Sequence, residues 1–306
     1  MRRLTVWLML VANLILGAGI SAQVNQKKPL DILLTNDDGF DAPGIKAMWQ
    51  ALKAAGHHVT LVAPAKKQSG SGVRYTIRGK IGIEKKGDGV WAIEASPADA
   101  VLVGLQHILA DNPPDLVISG SNLGQNLGAT VNSSGTAGAA IMAMQLGVPA
   151  IAVSVGVRVE EYVAPRTFPS TLAAYGPAAE FAVSLVTSLQ NNLREDGLLP
   201  DHTLLSVNYP ALPANQIGGV RFTQLGHSMA YRFYYSETET PGELLIGTSP
   251  APDQSGIESF DTTWFARDYI TISVLDGDWS AAPSVQTAVS SRLSNLKMPV
   301  GSKQDD

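Results

Sequence analysis

The stretch DILLTNDDGFDAPG, residues 31–44, runs from a short apolar segment directly into two adjacent aspartates and a glycine. Residues 31–35 have the apolar character of a strand that is buried on both faces of a parallel sheet. Residues 42–56 carry apolar side chains at helical spacing and end in a glycine, which favours a helix end. The stretch therefore predicts a buried strand and its following helix, with Asp37 and Asp38 at the end of the strand.

Further apolar runs along the chain predict the rest of the sheet. Strands that alternate with helices of this length indicate a doubly wound, mostly parallel α/β sheet. Beyond residue 158 the pattern changes, and the later runs predict an antiparallel or mixed extension with an exposed hairpin or loop at residues 236–260. The parallel strands are predicted at residues 31–35, 58–64, 115–120 and 149–154, and those of the extension at 203–210, 219–226 and 268–275.

Length, charge and cysteine content limit the kinds of function that the chain can have. Its 306 residues suffice for one large α/β domain with a sizeable core. The formal net charge of −5 does not indicate a nucleic-acid backbone as partner, so no nucleic-acid duplex is expected. Because the chain has no cysteine, disulfides, thiolate nucleophiles and cysteine-ligated zinc are excluded.

The first 22 residues have the three parts of a secretory signal peptide. Arg2 and Arg3 form a basic start, a long apolar run follows, and small residues precede Gln23. A membrane anchor is the alternative, since the apolar run is near the lower length limit for spanning a bilayer. We predict cleavage and export to the periplasm, with no membrane contact afterwards. Without a functional signal the protein would be cytoplasmic.

Oxygen-bearing side chains follow three of the predicted parallel strands. In open parallel sheets, ligands bind in the crevice at the carboxyl ends of the strands, so these side chains are expected to lie together. Their oxygens suit magnesium, manganese or calcium better than zinc. A helix N-terminus nearby presents backbone N–H groups that can hold a phosphate. The candidate groups are Asn36, Asp37 and Asp38 after the first strand, Ser69 and Ser71 after the second, Asn122 and Asn126 after the third, and Ser134, Gly135 and Thr136 at the helix start.

Other interpretations of the Asp-Asp-Gly sequence are possible. It is also a favourable tight turn, which needs no cation, whereas a metal site would relieve the repulsion between the two carboxylates. A dinucleotide site requires a glycine-rich turn after the first strand, where the two aspartates stand instead. A haloacid-dehalogenase-type phosphatase would need a second aspartate at position 39, which is a glycine.

The successive motifs resemble those of the SurE family of 5′/3′-nucleotidases. The matching segments are ILLTNDDGFDAPGI, VTLVAPAKKQSGSG, SPADAV, DLVISGSNLGQNLG, SSGTAGAA, LLSVNYP and WFARDYITISVL, which together cover residues 30 to about 275. The resemblance implies a Rossmann-like core and a phosphomonoesterase that uses one divalent ion, Mg²⁺ or Mn²⁺, to hydrolyse nucleoside 5′- and 3′-monophosphates. It places the metal ligands at Asp37, Asp38, Ser69 and Asn122. From the residues themselves, we predict that the two aspartates are catalytic and that Asn36, Ser134, Gly135 and Thr136 bind phosphate.

The same resemblance implies that the C-terminal part serves oligomerisation, as a homodimer or homotetramer. Trp264 and Phe265 beside Arg267 are of the residue types enriched at interfaces, although both rings could also belong to the core. The predicted regions are a signal peptide at residues 1–22, a Rossmann-like metal- and phosphate-binding core at 30–160, the C-terminal part of the same domain at 161–285, and a tail at 286–306. The last stretch of this tail, KMPVGSKQDD at residues 297–306, is expected to be disordered.

Several of these residues also have a purely structural interpretation. Ser69 is a turn residue in a Gly/Ser loop, and Asn122 is of a type that adopts left-handed turns. Asn36 either orients the aspartates or contacts phosphate, and Lys66 and Lys67 either attract a phosphate or are solvated. Two rival functions remain beside the nucleotidase: a periplasmic solute-binding protein, and a metal-binding relative of the family without turnover.

Overall fold

The computed structural model describes residues 28–162, 167–229, 231–250 and 256–294. The predicted signal peptide and residues 295–306 of the predicted tail lie outside them. The strands are β1 (Asp31–Thr35), β2 (His58–Pro64), β3 (Ile83–Gly87), β4 (Val90–Ile93), β5 (Leu116–Leu123), β6 (Ala150–Val155), β7 (Leu204–Tyr209), β8 (Val220–Thr223), β9 (Tyr231–Glu237), β10 (Leu244–Pro250) and β11 (Ile270–Leu275). The helices are α1 (Pro43–Ala54), α2 (Pro97–Val103), α3 (Gly135–Gln145), α4 (Pro169–Asn191), α5 (Asp261–Phe265) and α6 (Pro283–Arg292).

Within the described residues, nine strands form one sheet in the order β3-β4-β2-β1-β5-β6-β7-β11-β8. All neighbours from β4 to β7 pair in parallel. Strands β3 and β11 join antiparallel to β4 and β7, and β8 pairs in parallel with β11. The predicted α/β fold with a mixed extension is therefore confirmed. The parallel part extends further than predicted, however, because β7 continues it beyond residue 160.

The topology places a ligand crevice between β1 and β5. From β1 the chain winds outward to β2 and then β4, and later returns to the other side of β1 to form β5, β6 and β7. Helices on opposite faces of the sheet diverge at such a reversal and leave a crevice at the carboxyl ends of the two strands. The segment that follows β1 contains the two aspartates, and Asn122 lies at the carboxyl end of β5.

The sheet has a separate apolar core on each face, as expected for strands with alternating side-chain directions. Ile32 and Leu34 pack with α1 and α4 on one face, whereas Leu33 packs with α2 and α3 on the other. Helix α2 begins at a capping box, in which Ser96 accepts a hydrogen bond from Asp99 N and Asp99 accepts one from Ser96 N. This cap holds the start of α2 next to the crevice.

Helix α4 is long and apolar enough, by length and composition alone, to span a membrane. Its buried residues, which include Ala174, Tyr175 and Val186, belong to the same core as the buried face of α1. A core helix of an α/β domain accounts for its composition.

The C-terminal part contains two elements that protrude from the sheet. Strands β9 and β10 form a two-stranded hairpin with exposed apolar side chains such as Tyr235 and Leu245. Helix α6 has no buried residue, and it crosses the boundary that the sequence placed between residues 285 and 286. The helix has Pro283 at its first position, and the boundary of the tail stays a prediction.

Candidate active site

Asn36, Asp37 and Asp38 form a tight turn at the carboxyl end of β1. The side-chain amide of Asn36 donates to Gly39 O at 2.9 Å, and its amide oxygen accepts from Gly39 N at 3.1 Å. Gly39 has a φ of +114°, a conformation that suits glycine. Both polar atoms of Asn36 are thus used inside the turn, which favours its role in orienting the aspartates over a direct contact with phosphate.

Asp37 is the more deeply buried of the two aspartates, with 3% of its surface exposed. Its Oδ1 accepts a hydrogen bond of 2.7 Å from Thr136 Oγ1 on α3. Burial, and secondarily the charge of Asp38, raises the pKa of Asp37 to about 6, although the Thr136 hydroxyl and Lys67 act in the opposite direction. The ionised form of Asp37 is therefore unfavourable in the folded protein.

Asp38 has a partner on each carboxylate oxygen. Its Oδ1 lies 3.0 Å from Lys67 Nζ, and its Oδ2 accepts a hydrogen bond of 2.8 Å from Leu123 N at the end of β5. The side chain of Asp38 is 8% exposed and that of Lys67 is 54% exposed. The crevice is thus crossed by a direct contact between the segments that follow β1 and β5.

The loop after β2, residues 65–76, lies against both the aspartates and α3. Gln68 N donates to Asp37 O at 2.7 Å, and Gly72 N donates to Ser133 O at 3.1 Å. The Ser71 hydroxyl is buried without a hydrogen-bond partner among the described residues, whereas Ser69 is exposed. The structure therefore brings the loop of Ser69 to the site, but the hydroxyl that it buries there is that of Ser71.

The far end of this loop is held by a buried carboxylate. Asp99 Oδ1 accepts from Thr76 N at 2.7 Å, and Asp99 Oδ2 lies 3.2 Å from Thr76 Oγ1 and 2.8 Å from Ser96 Oγ. Ser96 Oγ also contacts Arg74 O. Asp99 and Ser96 at the start of α2 therefore fasten the loop on the side opposite to its contact with Asp37.

The N-terminus of α3 forms the wall of the site beside Asp37. A Cβ atom on Gly135 would lie 2.6 Å from Ser71 Oγ and 3.0 Å from Asp37 Oδ2, so only glycine fits there. Ser134 Oγ is occupied as the helix cap, because it accepts from Ala137 N at 3.0 Å. The backbone N–H groups of Gly135 and Thr136 belong to the unpaired first turn of the helix and can face an anion.

The carboxyl end of β5 contributes Asn122, and an ordered loop follows the strand. Asn122 Nδ2 donates to Gly124 O at 2.7 Å, which leaves its amide oxygen as the atom that a cation can use. Further along, Asn126 N donates to Asn208 Oδ1 at 2.7 Å.

A buried aspartate from the C-terminal part also holds this loop. Asp261 accepts hydrogen bonds from Gly128 N at 2.8 Å and from Gly226 N at 2.9 Å. Burial raises the pKa of Asp261, although its backbone hydrogen bonds lower it. The C-terminal part therefore helps to shape the mouth of the site.

The sequence, the fold and these contacts agree with the comparisons to known proteins. The sequence model of a protein family described as survival protein SurE matches residues 32–232 of this chain. The chain belongs to the SurE family. A protein of Gloeobacter violaceus named 5′-nucleotidase SurE is 39% identical over 269 residues, which are 83% of this chain and 92% of that protein. A protein of the same name from Thermosynechococcus vestitus is 32% identical over 266 residues, which are 83% of this chain and 94% of that protein.

A solved structure shows the same fold. The crystal structure of the SurE protein from Aquifex aeolicus superposes on this chain with a TM-score of 0.69 and is 29% identical to it in sequence. The superposition covers 86% of this chain and 99% of the Aquifex aeolicus chain. The predicted family and the predicted fold class are thus both confirmed.

The residues at the crevice suit a hard divalent cation. The part of the chain that the structure describes has no group of three His, Cys, Asp or Glu side chains that could hold a metal. A cation would therefore depend on Asp37 and Asp38, supplemented by hydroxyl and amide oxygens. The orphaned Ser71 hydroxyl, the destabilised Asp37 carboxylate and the open amide oxygen of Asn122 fit that donor set, which is typical of Mg²⁺ or Mn²⁺.

Tyr175 was not found from the sequence. It lies on α4, and a Cβ on Gly44 would come within 2.9 Å of its ring. Burial raises its pKa above the ordinary range, and the charges of Asp38 and Asp37 add to the effect. Its phenol therefore stays protonated beside the site. Nothing in its sequence context distinguishes it from other aromatic residues of an amphipathic helix.

Proposed function

We propose that the protein is a divalent-metal-dependent phosphomonoesterase that releases phosphate from nucleoside 5′- and 3′-monophosphates. The observation that carries the proposal is the position of Asp37 and Asp38, side by side in the crevice and next to the N-terminus of α3. A cation site beside an anion site is what phosphoryl transfer requires. The names of the relatives support the substrate class.

The residues that would hold the ion are Asp37, Asp38, Ser69 and Asn122, with Ser71 as a further oxygen close to Asp37. A bound Mg²⁺ or Mn²⁺ would supply positive charge that stabilises the phosphoryl group in the transition state and favours deprotonation of the attacking water.

The chain itself would orient the substrate and move the proton. The backbone N–H groups of Gly135 and Thr136 would bind phosphate oxygens at the positive end of α3. The Thr136 hydroxyl and the Leu123 N–H hold the two carboxylates in fixed directions. One of these carboxylates would accept the proton of the attacking water, and the leaving nucleoside oxygen takes a proton from solvent, since the mouth of the site is open at Lys67 and Ser69.

The test is phosphate release from a panel of nucleoside 5′- and 3′-monophosphates, with Mn²⁺, with Mg²⁺ and with chelator. We expect release that requires metal and that is lost in Asp37→Asn. Tight nucleotide binding without release, in the presence of metal, would favour the metal-binding relative without turnover. Binding of a small solute that is independent of metal would favour the solute-binding protein.

We further propose export and assembly. Cleavage before Gln23 would place the mature protein in the periplasm, in line with the order of basic, apolar and small residues at the N-terminus. The exposed apolar side chains of the β9–β10 hairpin and of α6 favour a homodimer or homotetramer. Sedimentation at micromolar concentration tests the assembly, and a single monomeric species would contradict it.

A further inference from the structure

Lys67 forms an ion pair with Asp38, one of the two aspartates that are proposed to bind the metal. Its Nζ lies 3.0 Å from Asp38 Oδ1, and the second oxygen of Asp38 is taken by the Leu123 N–H. Both oxygens of this carboxylate are therefore in use without any metal. A cation that binds through Oδ1 therefore competes with the ammonium group for this oxygen.

The charge of Lys67 has no substitute nearby. Among the described residues, Lys67 is the one basic side chain within ion-pair distance of Asp37 or Asp38. Its influence extends to Asp37, whose pKa it lowers. Lys66, the adjacent residue, is exposed and forms no ion pair in the described structure. The two neighbouring lysines thus differ in their relation to the site.

The mobility of Lys67 suits it to an exchange of partners. Its side chain is 54% exposed, whereas the Asp38 side chain is 8% exposed, so the lysine can leave and the carboxylate cannot. A lysine has a flexible stem and a compact charge that re-pairs easily. A divalent ion next to Asp38 would repel the ammonium group, and a phosphate dianion in the same crevice would attract it.

We propose that Lys67 is a built-in counter-ion that competes with the metal for Asp38 and, once displaced, pairs with the phosphate of the substrate. The proposal rests on the proposed function and adds a role for this residue within it. In the free protein Lys67 offsets part of the negative charge of the aspartates. With metal bound, its charge adds to that of the ion and favours a dianionic ligand. Lys67 therefore weakens metal binding and strengthens phosphate binding.

The opposite signs of these two effects make the proposal testable with one variant. Lys67→Met keeps the apolar stem and removes the charge, and Lys66→Met is the matched control. Calorimetric titration with Mn²⁺ alone should show tighter binding to Lys67→Met than to wild type, by about two- to fivefold, because a partly exposed ion pair is lost. Inorganic phosphate, titrated into the Mn²⁺-loaded protein, should bind roughly tenfold more weakly or worse, because a charge-assisted contact is lost.

The control separates this mechanism from a general change of charge. Lys66→Met should change neither affinity by more than about twofold, since an exposed charge without a partner acts weakly. Unchanged or weaker Mn²⁺ binding by Lys67→Met, or equal effects of the two variants, would overturn the role of Lys67 while leaving the proposed function intact. Failure of the wild-type protein to bind Mn²⁺, in contrast, would contradict the proposed function itself.

Discussion

Replacement of Asp37 by asparagine should stabilise the metal-free protein while it destroys the site. Asp37 is buried and stands beside another carboxylate, so its ionised form is unfavourable in the folded state. Asparagine has nearly the same shape and can still accept the hydrogen bond from Thr136 through its amide oxygen. The variant therefore removes a charge without removing a contact.

The magnitude follows from the pKa of Asp37, which rises from an ordinary 3.8 to about 6 in the folded protein. Each pKa unit corresponds to about 1.4 kcal/mol, so ionisation of this group lowers the free energy of unfolding by about 3 kcal/mol at neutral pH. The carboxyl group of the unfolded chain releases its proton at lower pH than that of the folded protein. Stability is therefore lost as the pH rises through the interval from 3.8 to about 6.

Denaturant unfolding of wild type and Asp37→Asn in chelator, at one protein concentration and several pH values, measures this difference. We expect the variant to be more stable by about 3 kcal/mol above about pH 7, and the gap to shrink progressively towards about pH 4. Asp41→Asn, at an exposed aspartate of the same segment, should show no such dependence. Mn²⁺ should stabilise the wild-type protein and leave Asp37→Asn unaffected.

Two results would refute this reasoning. A variant that is no more stable than wild type above about pH 7 would show that the carboxylate of Asp37 is not unfavourable in the folded protein. Little change is what the turn interpretation of Asp-Asp-Gly predicts, because asparagine and aspartate both suit tight turns. Equal stabilisation of both proteins by Mn²⁺ would show that the ion binds elsewhere.

Two further predictions concern contacts around the site, and a third concerns the N-terminus. Gly135→Ala would place a Cβ 2.8 Å from Asp37 Cβ, so the rate of phosphate release should fall by tenfold or more, which corresponds to about 1.4 kcal/mol or more in the activation barrier. The shift in melting temperature that Mn²⁺ produces should become smaller in the same variant. Asp99→Ala leaves the Thr76 N–H without its acceptor and should lower the free energy of unfolding by about 2–4 kcal/mol and weaken Mn²⁺ binding, as denaturation and titration would show. N-terminal sequencing of the exported protein should begin near Gln23, and an intact first residue would contradict cleavage.

The central parallel strands β1, β2, β5 and β6 could be predicted from the sequence because most of their residues are buried on both faces. Strands β1 and β2 have the predicted bounds, and β6 differs from its prediction by one residue at each end. Strands β3 and β4 were not predicted. Every residue of β3 is exposed and its sequence, IEKKG, contains three charged residues. An edge strand of this kind forms through its backbone pairing with β4, which leaves no hydrophobic pattern to detect.

The positions of the candidate residues in the fold could be predicted better than their side-chain contacts. Because parallel strands end at one edge, the segments after β1, β2 and β5 had to meet, and they do. Whether the loop after β2 turns Ser69 or Ser71 towards Asp37 depends on its backbone conformation, in which Gly70 and Gly72 both have positive φ. The choice of Ser69 as a metal ligand therefore stays a prediction, and the burial of Ser71 is a finding of the structure.

The two aspartates of the site differ in a way that their adjacency in sequence conceals. Asp37 points into the protein, where a hydroxyl on α3 is its partner and burial opposes its charge. Asp38 points along the crevice, where Lys67 and a backbone N–H satisfy both its oxygens. A cation bound between them would relieve the unfavourable charge of Asp37 but would compete with Lys67 for Asp38. Metal affinity is then the difference between these two effects, so substitutions at Asp37 and at Lys67 should change it in opposite directions.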